Sequence, residues 1–313
     1  MPRPEVLVVA PLMPYLMEAL RRDYTVHDRI HQTDPAALAA AAPRIRAVAA
    51  NGEAKVPREL IAQLPALEII GVFGVGYDGV DVAAAHERQV PVTNTPEVLN
   101  DDVADLALGL LLSVARRIPQ ADRFVREGRW PQGPVPLARK VSGGKLGVVG
   151  MGRIGQAIAK RAEAFGMHIS YTARSPRSEV NYTWFPDAVA LAAAVDFLIV
   201  ITPGGAGTRG LIDGRVLKAL GPEGYLINVA RGSVVDEPAL IAALENGEIA
   251  GAALDVFASE PNVPDKLREM PQVVLTPHMA SGTKQTREAM ADLVLANLAA
   301  HFAGKPLPTP VAR

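Results

Sequence analysis

The stretch KLGVVGMGRIGQAIAKRAEAFGMHISYTAR, residues 145–174, carries a complete supersecondary unit in its own pattern. An apolar run, Lys145–Val149, leads into Gly150, Gly152 and Gly155 at G-x-G-x-x-G spacing, then into the helical pattern QAIAKRAEAFG, and ends in a second apolar run, HISYTAR. In such a strand–turn–helix–strand unit the glycines permit a tight turn and let a pyrophosphate approach the backbone at a helix N-terminus. The turn residues Gly150, Met151, Gly152, Arg153, Ile154 and Gly155 are therefore expected to cradle a dinucleotide. The residue that reads the adenosine ribose should follow about 20 positions later, at the end of the next strand. Here stand Ala173, Arg174 and Ser175, followed by Arg177, with no acid among them. Guanidinium and hydroxyl groups suit a ribose 2′-phosphate where an acid would suit a hydroxyl. NADP(H) is the expected cofactor, with NAD(H) as the alternative.

The same rhythm extends in both directions. After residue 174 come Asp196–Ile201, Tyr225–Val229, Ala250–Val256 and Val273–Leu275; before residue 97 come Val6–Ala10, Tyr24–His27, Arg46–Ala50 and Leu67–Phe73, separated by the helical patterns Pro14–Arg22, Asp34–Ile45, Pro57–Leu64 and Asp81–Arg88. Continuous apolar runs alternating with helices predict α/β architecture with parallel strands covered on both faces. At 313 residues the chain has room for about two domains. Between the two series lies Glu97–Ile118, a predicted helix opening on Asp101, Asp102 and Asp105, long enough to cross between domains, and then a Pro/Gly-rich excursion, Gly128–Gly133 through Pro136. The last helix is expected over Arg287–Ala303, stopped by Gly304 and Pro306.

Composition narrows the chemistry. With 32 Lys and Arg against 33 Asp and Glu, and no charge blocks, there is no electrostatic footprint for nucleic acid. The absence of cysteine removes disulfides, thiolate metal sites and thiol nucleophiles. The N-terminal apolar run stops at Pro11, well short of a signal or membrane segment, so a cytoplasmic protein that binds no membrane is expected.

Most of the six histidines have ordinary readings. His27 and His31 stand four apart, but in YTVHDRI, a strand running into a loop, so no metal pair is expected there. His278 differs because it follows VVLTP at the carboxyl end of a strand, the edge where open α/β sheets build ligand sites. Arg231 follows the strand YLINVA in the same way, and Glu260 lies just beyond AALDVF. An Arg, an acid and a His converging on one edge can bind a carboxylate, tune an imidazole and transfer a proton. A second glycine pattern, Gly74, Gly76 and Gly79 in GVGYDG, reads as a tight turn whose exposed N–H groups suit a carboxylate.

The strings GVGYDGVD, GVVGMGRIG, NVARGSVVDE, LDVFASEP and LTPHMASGT, in this order, resemble the D-isomer-specific 2-hydroxyacid dehydrogenases. Within that family the chain looks most like the NADPH-dependent hydroxypyruvate/glyoxylate and hydroxyphenylpyruvate reductases, most densely from Asn100 to Val311. The resemblance implies two Rossmann-like doubly wound domains. A coenzyme domain over residues 99–284 is inserted into a flavodoxin-like substrate domain over residues 1–98 and 285–313, with closure about the two crossings. It implies Arg231 as the group that holds the substrate carboxylate and polarises the keto oxygen, His278 as the proton donor, and Glu260 as the acid that favours protonated His278. It also implies carboxylate binding by the amides of Val75 and Gly76, with Asn51 and Gly52 as wall residues. On the cofactor side it points to Asp255 at the nicotinamide amide, Thr202 and Pro203 beside the adenosine half, and Val229, Ala230 and Ser281. The implied reaction is reduction of a small 2-keto acid to the D-2-hydroxy acid by a homodimer, with no metal. Aromatic or sugar-derived 2-keto acids, or a nucleotide-sensing corepressor on the same scaffold, are the alternatives. One departure stands out: TPGGAGT, residues 202–208, replaces a more polar run and carries an extra glycine.

Overall fold

A computed structural model describes residues 3–312; the first two residues of the N-terminal segment and Arg313 lie outside the described residues. The chain divides into two compact units, Met1–Leu99 with Thr283–Arg313, and Asn100–Gly282. The first contains β1 (Glu5–Val8), α1 (Pro14–Asp23), β2 (Thr25–Asp28), α2 (Ile30–Thr33), α3 (Pro35–Ala41), β3 (Ile45–Asn51), α4 (Arg58–Gln63), β4 (Ile69–Phe73), α5 (Val82–Glu87) and β5 (Val92–Thr93). The second holds α6 (Asn100–Arg116), α7 (Ile118–Arg126), β6 (Lys145–Val149), α8 (Arg153–Glu163), β7 (His168–Thr172), β8 (Thr183–Phe185), α9 (Ala188–Ala192), β9 (Phe197–Val200), α10 (Gly214–Leu220), β10 (Tyr225–Asn228), α11 (Glu237–Glu245), β11 (Gly251–Leu254), α12 (Asp265–Glu269) and β12 (Val273–Leu275). The chain then returns to the first unit as α13 (Lys284–Phe302).

Every strand pairing is parallel. The first sheet runs β2-β1-β3-β4-β5, and the second runs β12-β11-β10-β9-β6-β7-β8. Both are doubly wound orders. The order reverses between β1 and β3 in one sheet and between β6 and β9 in the other, so the loops after these strands splay apart and leave a crevice at the carboxyl edge. Strands such as Phe197–Val200 and Ile69–Phe73 are buried at every position, which is why their apolar runs are unbroken. Helices α9, α10 and α11 supply Leu191, Leu217 and Leu240 to the core beneath Leu198 and Leu226 of the second sheet.

Two local expectations shift. The helix read over Asp34–Ile45 is shorter: Asp34 caps α3 by accepting from the Ala37 amide at 2.9 Å, and Pro43 ends the pattern so that Ile45 opens β3. The helix read over Glu97–Ile118 is α6, which lies wholly in the second unit and packs on α8, β10, β11 and β12, so it does not cross between units. It stops because Pro119 cannot continue it; Arg117 turns into the left-handed region at φ 55°, and α7 starts afresh. Strands β5 and β8 carry too few residues for a periodic signal.

Candidate active site

The second unit's crevice is built on three glycines that do different work. Gly150 sits at φ 106°, and a Cβ there would lie 2.9 Å from the Thr202 amide nitrogen, so only glycine lets the turn after β6 meet the loop after β9. A Cβ on Gly155 would overlap the Gly150 carbonyl, so this glycine is required for helix–strand packing. Gly152 is different: it has ordinary φ of −82° and no atom within 4 Å of a built Cβ. Packing does not demand glycine there. The open space lies at the N-terminus of α8, whose first turn has no side-chain cap. Uncapped N–H groups, the helix dipole and an unfilled space together fit a pyrophosphate, so the chain meets the steric and electrostatic needs of a dinucleotide.

Beyond β7, Arg174, Ser175 and Arg177 are all exposed, and no carboxylate pairs with either arginine among the described residues. The segment is anchored from behind, where Trp184 Nε1 donates to the Ala173 carbonyl at 3.2 Å and the Arg177 amide donates to Tyr171 Oη at 2.7 Å. Two cations on a fixed backbone leave their guanidinium groups available to an anion. The Met151 side chain, 1% exposed, is core, which leaves its backbone for the turn. Val229 and Ala230 are also buried, at 5% and 4%, which limits them to backbone contacts. Thr202 and Ser281 are part-exposed, while Arg153 and Pro203 are exposed.

The three candidate reactive groups stand at the ends of neighbouring strands. Arg231 follows β10, Glu260 follows β11 and His278 follows β12, with β11 between the other two in the sheet. Asn228, 1% exposed, holds the first of these loops: its Oδ1 accepts from the Ala230 amide at 3.1 Å and its Nδ2 donates to the Arg231 carbonyl at 3.1 Å. Gly232 presses against the Phe257 backbone so closely that any Cβ would overlap the Phe257 carbonyl, which brings Arg231 beside the segment leading to Glu260. The Arg231 Nη1 donates to the Ala230 carbonyl at 2.7 Å.

Glu260 divides its two oxygens. Oε1 accepts from the Phe257 amide at 2.8 Å, and Oε2 lies 2.7 Å from His278 Nδ1. The amide fixes the carboxylate, and a carboxylate facing Nδ1 favours the proton on that ring nitrogen. His278 itself sits at φ 49°, a left-handed conformation that costs a non-glycine residue about 1–2 kcal/mol. Asp255 enforces it. This residue has no accessible surface; its Oδ1 accepts from Thr276 Oγ1 at 2.7 Å and the Met279 amide at 2.9 Å, and its Oδ2 from the Ala280 amide at 2.9 Å. Its backbone carbonyl accepts from the His278 amide at 2.8 Å. Burial pushes the Asp255 carboxyl above its ordinary value, against the opposing pull of the Met279 amide, the Thr276 hydroxyl and the Ala280 amide. The Asp255 carboxylate thus holds the loop that carries His278.

In the first unit, Asn51 ends β3 and Gly52 follows it, and Val75 and Gly76 follow β4, so all four share that sheet's carboxyl edge. Asn51 Oδ1 accepts from the Glu53 amide at 3.1 Å and the Ala54 amide at 2.8 Å, which folds its own turn. A Cβ on Gly74 would stand 3.2 Å from Gly52 Cα, so the two turns are in direct backbone contact. Asn94 Nδ2 donates to the Val75 carbonyl at 2.8 Å and steadies the second turn from below. The supporting residues Asn228, Gly232, Thr276 and Asn94 escape a reading of the sequence; the first three lie within four residues of a residue that does not, whereas Asn94 is 19 positions from the Val75 it holds.

Comparison with known proteins gives a consistent result. Residues 108–280 match the family model described as D-isomer specific 2-hydroxyacid dehydrogenase, NAD binding domain. Over 309 residues, and 98% of both chains, the sequence is 50% identical to hydroxyphenylpyruvate reductase of Plectranthus scutellarioides. It is 44% identical over 99% of both chains to 2-ketogluconate reductase of Gluconobacter oxydans. Among solved structures, the NADPH-dependent glyoxylate/hydroxypyruvate reductase of Sinorhizobium meliloti, in complex with NADP and malonate, matches with a TM-score of 0.94 and 49% identity, covering 99% of this chain and 97% of that one.

Proposed function

The chain belongs to the D-isomer-specific 2-hydroxyacid dehydrogenase family, and from that premise we propose that it reduces a small 2-keto acid of the hydroxypyruvate or glyoxylate type to the D-2-hydroxy acid with NADPH. The observation that carries the reading is the 2.7 Å pairing of Glu260 with His278 Nδ1 in a strained turn at the carboxyl edge of the sheet. Bound at the Gly150–Gly155 turn, NADPH supplies the hydride. Arg231 holds the substrate carboxylate and draws charge from the keto oxygen as that oxygen becomes negative. His278 delivers a proton from Nε2 to the same oxygen, and Glu260 keeps the ring oriented and stabilises its charged form. The amides of Val75 and Gly76 add donors for the carboxylate, with Asn51 and Gly52 lining the substrate. Arg174, Ser175 and Arg177 take the 2′-phosphate, and their lack of carboxylate partners supports NADP(H) over NAD(H).

The names of the relatives favour a second substrate reading within the same chemistry, an aromatic or sugar-derived 2-keto acid. The reactive trio of Arg231, Glu260 and His278 counts against a purely nucleotide-sensing role. The reading also includes a homodimer: Ile118, Val125, Trp130, Val135 and Leu137, between 44% and 100% exposed, put a run of large apolar groups on one segment. Sedimentation at several concentrations tests it, and a strictly monomeric species would overturn it. No helix among the described residues is long and apolar enough to cross a membrane. Cytoplasmic location is part of the proposal.

The decisive experiment follows NADPH oxidation with hydroxypyruvate, glyoxylate, phenylpyruvate and 2-ketogluconate, each repeated with NADH and with His278→Ala. Turnover that His278→Ala abolishes while NADPH binding survives is the expected result. Binding without turnover of any of the four would overturn the substrate assignment.

A further inference from the structure

The two amides assigned above to the substrate carboxylate belong to consecutive peptide groups, Gly74–Val75 and Val75–Gly76, in the turn after β4. A trans peptide points its C=O and its N–H in opposite directions, so whatever grips the carbonyl also aims the amide. Both carbonyls are gripped, and by neighbouring residues. The Thr95 amide donates to the Gly74 carbonyl at 2.9 Å, and Asn94 Nδ2 donates to the Val75 carbonyl at 2.8 Å. Asn94 and Thr95 follow β5, which lies beside β4 in the sheet. Thr95 is fully buried while Val75 and Gly76 are part-exposed, so the grip comes from inside the protein and the two N–H groups turn outward. Among the described residues neither of these amides donates to a protein acceptor.

The gripping segment is itself held by the end of the chain, within the same unit. Thr309 Oγ1 donates to the Asn94 carbonyl at 2.6 Å and accepts from Asn297 Nδ2 at 2.8 Å. The Asn94 amide donates to the Thr309 carbonyl at 3.4 Å, and the Thr309 amide donates to Asn297 Oδ1 at 3.1 Å. Asn297, in α13, has no accessible surface, and its Nδ2 also donates to the Leu293 carbonyl at 2.7 Å. Both N–H donors of this buried amide are committed, so Thr309 cannot drift without leaving polar atoms unpaired. Beyond it the Val311 amide donates to the Val92 carbonyl at 2.8 Å and keeps the tail alongside β5. Resting on the keto-acid reading, we infer that Asn94 and Thr309 are positioning residues for substrate binding. Asn94 aims the Gly76 N–H at the substrate carboxylate, and Thr309, anchored on Asn297 and 215 positions further along the chain, holds Asn94 in place. A carboxylate is charged in the ground state and in the transition state alike, so this device serves KM and leaves kcat alone.

Steady-state kinetics of Asn94→Ala, Thr309→Val and Thr309→Ser at saturating NADPH test this, with each of the four keto acids that the parent reduces. Asn94→Ala and Thr309→Val should raise KM about tenfold, the scale of one misdirected hydrogen bond to a charged group. The factor should be the same for every keto acid, because all share the carboxylate, while kcat and the NADPH dissociation constant stay at the parent values. Thr309→Ser keeps the hydroxyl and should restore the parent KM. Asn94→Ala leaves the backbone bonds to Thr309 in place, so it tests the aim of the Gly76 amide even where Thr309→Val lowers stability. An unchanged KM in Asn94→Ala, or a fall in kcat at constant KM, would overturn the inference, since the bonds would then serve the fold alone. A KM that rises for one keto acid and not another would overturn it too, by placing Asn94 against the substrate side chain. A parent that reduces none of the four removes the keto-acid reading and this inference with it; an active parent with indifferent variants removes this inference only.

Discussion

Replacing Gly152 with alanine separates the cofactor cradle from the fold. No atom lies within 4 Å of a Cβ built at this position, and φ of −82° suits any residue. The protein without nucleotide therefore loses only the advantage of glycine over alanine at a helix N-cap, about 0.5–1 kcal/mol. In a unit of this size that is a fall of roughly 1–4 °C in melting temperature. The bound state is different, because the methyl group fills the space at the α8 N-terminus where the pyrophosphate belongs. Overpacking costs about 1–3 kcal/mol, which weakens NADPH about 5- to 150-fold. Gly155→Ala is the contrast: its methyl group overlaps the Gly150 carbonyl, and Gly150 has no room to retreat from Thr202. That variant should lose fold stability before it loses any specific affinity. The assay pairs NADPH fluorescence titration with thermal unfolding in the absence of nucleotide. If Gly152→Ala binds NADPH as the parent does, or destabilises the apoprotein as much as Gly155→Ala does, the cradle is not where the glycine geometry puts it.

Glu260→Gln keeps the shape but replaces the acceptor facing His278 Nδ1 with an amide. The ring is then held in the wrong tautomer and its charged form goes unsupported, so kcat should fall about 10²- to 10⁴-fold with the optimum of the reduction moving to lower pH. An unchanged pH profile would count against the pairing of Glu260 with His278. Arg174→Asp should raise the kcat/KM ratio for NADH over NADPH, whereas an unmoved ratio would remove Arg174 from the 2′-phosphate site. Acid unfolding should report on Glu68, whose carboxyl is held below its ordinary 4.5 mainly by hydrogen bonds from Arg46, opposed by burial and reinforced by His301. A lowered folded value means this stabilisation is complete above pH 4.5 and disappears as pH falls through the lowered value. Unfolding curves of Glu68→Gln should be flatter than those of the parent over that window; parallel curves would rule the carboxylate out as a source of acid lability.

Some of this molecule is legible because it is local. Gly150, Gly152 and Gly155 span six residues and lie next to a helix whose apolar spacing repeats within one turn, so the strand–turn–helix–strand unit is written in a single window. The apolar runs of β4 and β9 announce buried parallel strands for the same reason. Arg174, Ser175 and Arg177 stand one helix and one strand beyond the glycines and can be found by counting. The positions of Arg231, Glu260 and His278 are visible as polar residues after apolar runs. Their chemical roles enter only through resemblance to a family.

What the tertiary structure decided lies in contacts between chain segments that no local pattern links. Asp255 stands just beyond a strand in the sequence, and only packing shows that its carboxylate holds the loop of His278, 21 to 25 residues further on. Gly232 is an ordinary glycine until the Phe257 backbone packs against it. Parallel crossovers bring distant loops side by side, and the side chains they gather are set by that topology. Amino-acid order alone determined the elements and the nucleotide-type turn; three-dimensional packing determined which polar groups face each other and which are spent holding the others in place.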